Sequence, residues 1–426
     1  MTVLAPGGDR KSRVALVLAG GAARGAYEVG VVQHILEEVS ATLGRDVPID
    51  ILCGTSVGAL NACFLAAHAD QPRDRASALS RTWQSLRMAD VIHPDPRALF
   101  DFMRGLVGKP LPIDPHATRR GGILDPAGLE RLVDRVIAFE RIPEQLKSGR
   151  IHALTVSTTH VGSGRTVVYV ARRDGCVPYW GNDPTVEARG VTIGREHALA
   201  SASIPFLFPA VRIGGQFYCD GGLRQNVPLS PARRLGADGL IVVSPRYVER
   251  PNPAAEALEE RREEAFPGPL FLLGKALNAL LLDRVDNDLD RLERINSLLL
   301  AGTRRYGPEF LANINEELGY PRGELRTRPL SAVLIRSSVD IGAMAGAYVR
   351  SPEFARRTSG LVAALMRRLA DLAQDADLLS YLLFDGEFAA RLIEVGRRDA
   401  ALRHQELCAF FESMALPSVQ SAEPGP

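Results

Sequence analysis

The stretch from Ile51 to Ala66, ILCGTSVGALNACFLA, constrains the fold most. It predicts a short buried strand, then the turn Gly54-Thr55-Ser56-Val57-Gly58, then an apolar helix. In a G-x-S-x-G pattern the two glycines remove a Cβ where strand and helix crowd, and the serine hydroxyl is exposed on a tight turn. At the start of a helix, Ser56 would also lie where unpaired amides favour developing negative charge. The pattern alone also fits an ordinary turn, so a nucleophilic Ser56 depends on this strand-turn-helix context.

A second turn rich in small residues precedes this element. Val14 to Ala19, VALVLA, predicts a buried parallel strand, and a helix-like stretch AYEVGVVQHILEEVSATL follows the turn. Backbone N–H groups near a helix N-terminus form an anion site, which serves either a phosphate group or an oxyanion. The turn consists of Gly20, Gly21, Ala22, Ala23, Arg24 and Gly25.

A nucleotide site fits this turn poorly. A G-x-G-x-x-G fingerprint starting at Gly20 would need glycine at position 22, which is alanine, and no G-K-[ST] motif is present. The next strand, Ile49 to Cys53, ends in the serine turn rather than in the acidic residue that binds a ribose. An oxyanion loop placed one βα unit before the nucleophile explains the turn better. Arg24 would brace this loop or add positive charge, although an exposed arginine at a helix start is the simpler alternative.

A second candidate site residue follows much later in the chain. Val211 to Ile213 and Gln216 to Tyr218 predict a hairpin, whose second arm leads into Cys219-Asp220-Gly221-Gly222. Asp220 is either a turn former or a carboxylate presented with little steric cover.

The remaining chain predicts an α/β domain followed by a mostly helical region. The strand Gly239 to Val243 extends the α/β pattern, and the charged stretch Tyr247 to Pro267 marks a boundary. One strand-like segment, Leu330 to Ile335, would add to the sheet. The predicted parts are a flexible N-terminus (1–13), a catalytic domain (14–248), a mostly helical C-terminal region (249–414) and a disordered tail (415–426). Helices are predicted in the C-terminal region at Leu270–Ala301, Glu309–Leu318, Gly360–Gln374 and Gly386–Phe411.

Composition excludes several classes of protein. A net charge of +1 gives no electrostatic basis for binding nucleic acid, and five scattered cysteines without a C-x-x-C pair predict neither a zinc site nor a disulfide scaffold. We expect no metal and no cofactor. The first residues lack an apolar signal core, and no run reaches the roughly 18 apolar residues of a membrane span, so we expect a cytoplasmic protein. Leu270 to Leu282 is apolar nearly all round and predicts either a buried helix or peripheral contact with a membrane surface.

Four stretches, in this order, resemble the patatin-like phospholipases. They are LVLAGGAARGAYEVGV, ILCGTSVGALNA, ASASIPFLFPAV and YCDGGLRQNVPL. The resemblance implies a three-layer α/β/α fold with a mostly parallel central sheet, followed here by the helical C-terminal region. It also implies that Ser56 attacks the acyl carbonyl of a lipid, that Asp220 acts as base, and that no histidine takes part. Amides of Gly21, Ala22 and Ala23 would line the oxyanion hole beside Arg24.

The chain departs from the family at Ala22, where a third glycine is usual. If that position needs a positive φ, alanine costs on the order of 1 kcal/mol, although its backbone N–H survives. The implied reaction is hydrolysis of a (phospho)lipid acyl ester through an acyl-serine intermediate.

Two other hypotheses remain open. An α/β-hydrolase also uses G-x-S-x-G, with a triad whose histidine comes last, and His404 is the only histidine that follows Asp220. Its surroundings, RRDAALRHQELCAF, predict a charged amphipathic helix rather than a catalytic loop. The second hypothesis is a degenerate family member that binds lipid or a protein partner through its helical C-terminal half without turnover.

Overall fold

The computed structural model describes residues 12–106, 117–178, 180, 183–248, 285–319, 327–358, 360–372 and 377–415. Several predicted features lie outside these residues. They are most of the flexible N-terminus, the apolar segment Leu270–Leu282, most of the charged boundary stretch and the disordered tail beyond residue 415.

Ten strands in the described part of the chain form one sheet. They are β1 (Val14–Leu18), β2 (Ile51–Thr55), β3 (Arg119–Arg120), β4 (Ala153–His160), β5 (Thr166–Arg172), β6 (Val186–Gly190), β7 (Ala210–Ile213), β8 (Gln216–Asp220), β9 (Gly239–Ser244) and β10 (Ser331–Arg336). Their order is β10-β9-β1-β2-β4-β8-β7-β3, with β5 beside β4 and β6 beside β5. The five strands from β10 to β4 are all parallel, whereas β8, β7 and β3 are antiparallel to their neighbours.

Both faces of the sheet are covered. Along β1, Leu16 and Leu18 belong to one apolar core, and Ala15 and Val17 belong to the other. This alternation follows from the two-residue period of a strand, and burial on both faces explains the continuous apolar run VALVL. The predicted three-layer α/β/α fold with a mostly parallel sheet is therefore confirmed.

Helices make up the outer layers and most of the C-terminal region. Those before residue 248 are α1 (Gly25–His34), α2 (Val57–Ala67), α3 (Asp74–Gln84), α4 (Met88–Val91), α5 (Pro96–Leu106), α6 (Ala127–Val136), α7 (Ile142–Lys147), α8 (Arg195–Ser201) and α9 (Leu229–Arg234). Those after it are α10 (Val285–Tyr306), α11 (Phe310–Glu317), α12 (Ile341–Val349), α13 (Pro352–Arg357), α14 (Gly360–Leu372), α15 (Asp377–Leu382), α16 (Gly386–Ala401) and α17 (His404–Ala415). Helix α1 continues through a π-helical segment, Ile35–Val39, to Thr42.

The C-terminal region is built into the α/β domain rather than attached beside it. The predicted strand at 330–335 is β10, which lies parallel to β9 at the edge of the sheet. Helix α16 packs along α1, where a Cβ on Gly30 or on Gly396 would overlap the backbone of the opposite helix. The hydroxyl of Tyr27 on α1 donates a hydrogen bond to Asp399 on α16, at 3.1 Å.

Two local predictions were wrong. The single helix predicted from Gly386 to Phe411 is two helices, α16 and α17, because the chain turns at Leu402 and Arg403 while its apolar period continues. Strand β6 was missed because its sequence, VEARG, is half-exposed and lacks an apolar alternation. Within the described residues, no helix has both the length and the apolar character needed to cross a bilayer.

Candidate active site

Register along β4 brings Ser56 and Asp220 together. Thr55, the last residue of β2, pairs with Ser157 of β4, and Asp220, the last residue of β8, pairs with the next residue, Thr158. Strand β5 occupies the opposite edge of β4 over the same residues, so β2 and β8 share one edge and meet end to end. Two side chains 164 positions apart in sequence therefore come within one hydrogen bond of each other.

Ser56 has a strained backbone, with φ 55° and ψ −128°. A non-glycine residue with positive φ is uncommon and is maintained only where the surrounding structure enforces it. Its backbone N–H donates to the hydroxyl of Ser201 on α8 at 2.8 Å, and that hydroxyl donates to the carbonyl of Ser157 at 2.6 Å. The sequence predicts an exposed hydroxyl, but Ser56 is only 2% exposed.

The two glycines of the serine turn are required by close backbone approach. A Cβ on Gly54 would lie 2.5 Å from the Cα of Ala59 on α2. A Cβ on Gly58 would lie 2.5 Å from the carbonyl oxygens of Leu18 and Ala19, which end β1. Any larger residue would therefore push α2 away from the sheet and displace Ser56.

Asp220 accepts hydrogen bonds on both carboxylate oxygens. The hydroxyl of Ser56 donates to Oδ2 at 2.5 Å, and the backbone N–H of Gly222 donates to Oδ1 at 2.7 Å. The backbone N–H of Asp220 donates to the carbonyl of Ser203 at 2.9 Å. The carboxylate is thus fixed at the point where the serine proton lies.

Burial changes the acidity of Asp220. The side chain is fully buried, and desolvation raises its pKa from 3.8 to about 7, although the hydrogen bonds from Ser56 and Gly222 lower the pKa. A carboxylate with an ordinary pKa is a weak base at neutral pH, whereas one with a pKa near 7 accepts a proton readily. The neighbouring thiol of Cys219 has its pKa raised to about 12 by burial, so it stays protonated.

The loop from Gly20 to Gly25 lies directly against Ser56. A Cβ on Gly20 would be 3.1 Å from the Cβ of Ser56. Three amides of this loop are already used: Gly20 donates to Asn226, Arg24 to Gly21, and Gly25 to Ala22. The remaining three belong to Gly21, Ala22 and Ala23, and among the described residues they donate to no carbonyl or side chain.

Ala22 has a positive φ, which explains why a third glycine is usual at this position in the family that the sequence resembles. Its φ is 47°, in the left-handed region that costs a residue with a Cβ on the order of 1 kcal/mol. The loop nevertheless keeps its shape, because Ala22 is buried against the apolar core.

Arg24 is a buried residue rather than an exposed helix-start arginine. Its Nε donates to the hydroxyl of Ser380 at 2.8 Å, and its guanidinium lies 4.1 Å from the ring centroid of Tyr381. Both partners belong to α15, so the C-terminal region contacts the loop that faces Ser56. Charged groups are buried only where such partners compensate for lost water.

His404 has no contact with Asp220. Its Nδ1 lies 3.0 Å from Nε2 of His34, and its Nε2 lies 3.0 Å from the hydroxyl of Thr42. Asp220 is instead engaged by Ser56 and Gly222, so these residues do not form a Ser-Asp-His triad. No group of three or more His, Cys, Asp or Glu side chains is placed to hold a metal ion in the part of the chain that the structure describes.

Sequence reasoning missed the residues that support this pair. Ser201 and Ser203 hold the backbones of Ser56 and Asp220, respectively, and both belong to the segment ASASIP. Asn226 packs its side chain against Gly20 and accepts the Gly20 amide on its carbonyl. Small residues in ASAS and a lone asparagine give no local signal of these roles.

Comparison with known proteins identifies the family of this arrangement. A family model described as patatin-like phospholipase matches residues 16–233, about half of the chain. Among solved structures, VipD from Legionella pneumophila aligns at 12% identity over 98% of this chain and 94% of its own, with a TM-score of 0.29. The heterodimeric ExoU-SpcU complex from the type III secretion system of Pseudomonas aeruginosa aligns at 16% identity over 88% and 69%, with a TM-score of 0.24. TM-scores this low support no inference about the chain.

Proposed function

Because this chain belongs to the patatin-like phospholipase family, we propose that it hydrolyses an acyl ester of a (phospho)lipid through an acyl-enzyme intermediate on Ser56. Family membership supports hydrolysis of lipid esters in general. The dyad mechanism rests on one observation, the 2.5 Å hydrogen bond from the Ser56 hydroxyl to the buried Asp220 carboxylate.

In the proposed first step, Asp220 takes the proton of Ser56 as Oγ attacks the acyl carbonyl carbon. The carbonyl oxygen becomes an oxyanion, and the amides of Gly21, Ala22 and Ala23 donate to it. Collapse of this intermediate breaks the ester bond, and Asp220 returns the proton to the leaving alcohol. The acyl group then remains on Ser56.

In the second step Asp220 takes a proton from water, which attacks the acyl-serine carbonyl. The oxyanion forms in the same place, and its collapse releases the fatty acid while the proton returns to Ser56. Arg24, fixed by Ser380 and Tyr381, adds positive charge beside the oxyanion loop and so favours both intermediates. Neither step needs a histidine.

We also propose transient contact with a membrane surface. Leu99 and Phe100 on α5 are 48% and 63% exposed, which supports contact with lipid at this helix. The expected cytoplasmic location rests on the sequence alone.

The test is fluorophosphonate labelling with and without mixed micelles, followed by mass spectrometry of the modified peptide. We expect label on Ser56 in the wild type and none in Ser56→Ala. The label should be lost or at least 100-fold slower in Asp220→Asn, which preserves shape but cannot act as a carboxylate base. Hydrolysis of a phospholipid substrate should follow the same pattern.

His404→Ala is the matched control, and it should retain label and turnover. Near-normal hydrolysis by folded Asp220→Asn would contradict the dyad. Folded wild type that takes no label under any condition would instead favour a degenerate protein that binds lipid without turnover.

A further inference from the structure

A buried asparagine joins the helix that follows Ser56 to the helix that follows the proposed oxyanion loop. Asn61 lies on α2, and its side-chain nitrogen donates to the carbonyl of Gly25 at 3.1 Å and to Oε2 of Glu28 at 2.9 Å. Gly25 and Glu28 are three positions apart on α1, so they face Asn61 from one side of that helix. The side-chain oxygen of Asn61 accepts the ring N–H of Trp83 on α3 at 3.1 Å. Asn61 therefore uses both amide hydrogens and its oxygen to connect three helices.

These polar groups lie deep in the protein. Asn61 is 2% exposed, and Glu28 is fully buried. Burial raises the pKa of Glu28 well above 4.5, although its hydrogen bond with Asn61 lowers the pKa, so the neutral acid is favoured. A hydrogen-bonded polar network in a protein interior holds the elements that it joins in one arrangement. Here those elements carry the two halves of the proposed active site.

The same helix interface sets the distance between Ser56 and the loop. A Cβ on Gly25 would lie 2.6 Å from a methyl carbon of Val57, the residue after Ser56, so the end of the loop touches the start of α2. The N–H of Gly25 donates to the carbonyl of Ala22, and its own carbonyl accepts from Asn61. Asn61 is thus connected through a single residue to the turn whose amides would bind the oxyanion. A displacement of about 1 Å in a reacting group can lower a rate about 100-fold.

We propose that Asn61 and Glu28 are positioning residues, which hold α1 and α2 in the arrangement that places the loop amides at the oxyanion formed on Ser56. The inference rests on the proposed function and adds two residues that act through the backbone of the loop. Without the hydrogen bonds of Asn61, the loop would be free to shift against Ser56. The substrate carries no oxyanion before the reaction, so the loss should appear in kcat rather than in KM.

The test is hydrolysis of 4-nitrophenyl butyrate, with kcat and KM determined separately. Asn61→Leu removes all three hydrogen bonds at similar side-chain volume. Its kcat should fall about tenfold or more, while KM stays within about twofold of wild type. Inhibition by a trifluoromethyl ketone should weaken by the same factor as kcat, because its adduct with Ser56 carries an oxyanion.

Two comparisons separate positioning from a general loss of structure. Asn315→Leu is the matched control, because Asn315 on α11 is 1% exposed and also donates to two carbonyls and accepts one backbone N–H. It should lower stability in urea unfolding but leave kcat within about twofold of wild type. Glu28→Leu should resemble Asn61→Leu. Glu28→Gln keeps an oxygen that accepts from Asn61, so it should restore most of the kcat that Glu28→Leu loses.

Failure of the inference and failure of the proposed function give different results. Folded Asn61→Leu with the kcat of wild type would overturn the inference, and so would an equal loss of kcat in Asn315→Leu. If Asn61→Leu does not fold, equal kcat values for Glu28→Leu and Glu28→Gln would overturn it. Absence of both Ser56 labelling and ester hydrolysis in folded wild type would overturn the proposed function and this inference with it.

Discussion

The pH dependence of Ser56 reactivity is the prediction that follows most directly from the site. Asp220 must be ionised to accept the serine proton, and burial raises its pKa from 3.8 to about 7. Below pH 7 the ionised fraction therefore falls about tenfold per pH unit, to roughly one tenth at pH 6 and one hundredth at pH 5. Above pH 8 it is nearly constant.

The suitable assay is the second-order rate constant for fluorophosphonate labelling of Ser56 from pH 5 to pH 9. Labelling reports the first chemical step, so product release and the lipid surface do not enter. We expect a single rise with a midpoint near pH 7. Desolvation rather than a neighbouring charge raises the pKa of Asp220, so the midpoint should move little between 50 mM and 500 mM salt.

His197 is the control for another titrating group in the same region. Burial lowers its pKa, and its Nδ1 accepts the backbone N–H of Gly194 at 3.1 Å. His197→Asn keeps an acceptor at this position and should leave the midpoint unchanged. A rate constant that is flat from pH 5 to pH 8 would refute the reasoning, because a carboxyl with an ordinary pKa is fully ionised over that range.

Three further predictions concern stability and membrane contact. The raised pKa of Asp220 means that the folded protein holds a proton which the unfolded chain releases above about pH 4, so stability falls as pH rises from about 4 to about 7 and is then constant. Asparagine does not titrate, so the free energy of unfolding of Asp220→Asn in urea, relative to that of the wild type, should rise by about 3 kcal/mol from pH 5 to pH 8. A difference that stays the same over this range would contradict a buried carboxylate. Ala22→Gly should stay within about 1 kcal/mol of wild type in the same assay, because relief of the positive φ offsets the added freedom of the unfolded chain, and a loss above about 2 kcal/mol would contradict this. Replacing both Leu99 and Phe100 by Asp should weaken liposome binding at least tenfold in a sedimentation assay. The control Leu298→Asp, at an exposed position on α10, should leave binding unchanged. Equal effects of the two changes would exclude α5 as the membrane contact.

The central part of the fold was predictable because its signals are local. Continuous apolar runs marked β1, β2 and β9, and the glycine pairs marked the turns around Ser56 and the hairpin before Asp220. Each signal covers fewer than about ten residues, which is the range over which strand and turn patterns operate.

The pairing of Ser56 with Asp220 could not be predicted from local pattern. It depends on two strands that meet on the same edge of β4, and the sequence supplied only a family resemblance to suggest it. The contact of Arg24 with Ser380 is still more distant, across 356 positions, and a lone serine on a short helix carries no sign of it. Buried polar contacts of this kind are set by tertiary packing.

The close crossing of α1 and α16 fixes when the native packing around α1 can first form. Helix α1 begins directly after the loop from Gly20 to Gly25, yet its partner surface around Gly396 is translated hundreds of residues later. At roughly 5 to 20 residues per second, the ribosome needs roughly 20 to 70 seconds to pass from Gly30 to Gly396. Throughout that interval the nascent chain carries Ser56 but lacks α15 and α16, so we expect the reactivity of Ser56 to appear only after both helices have been made.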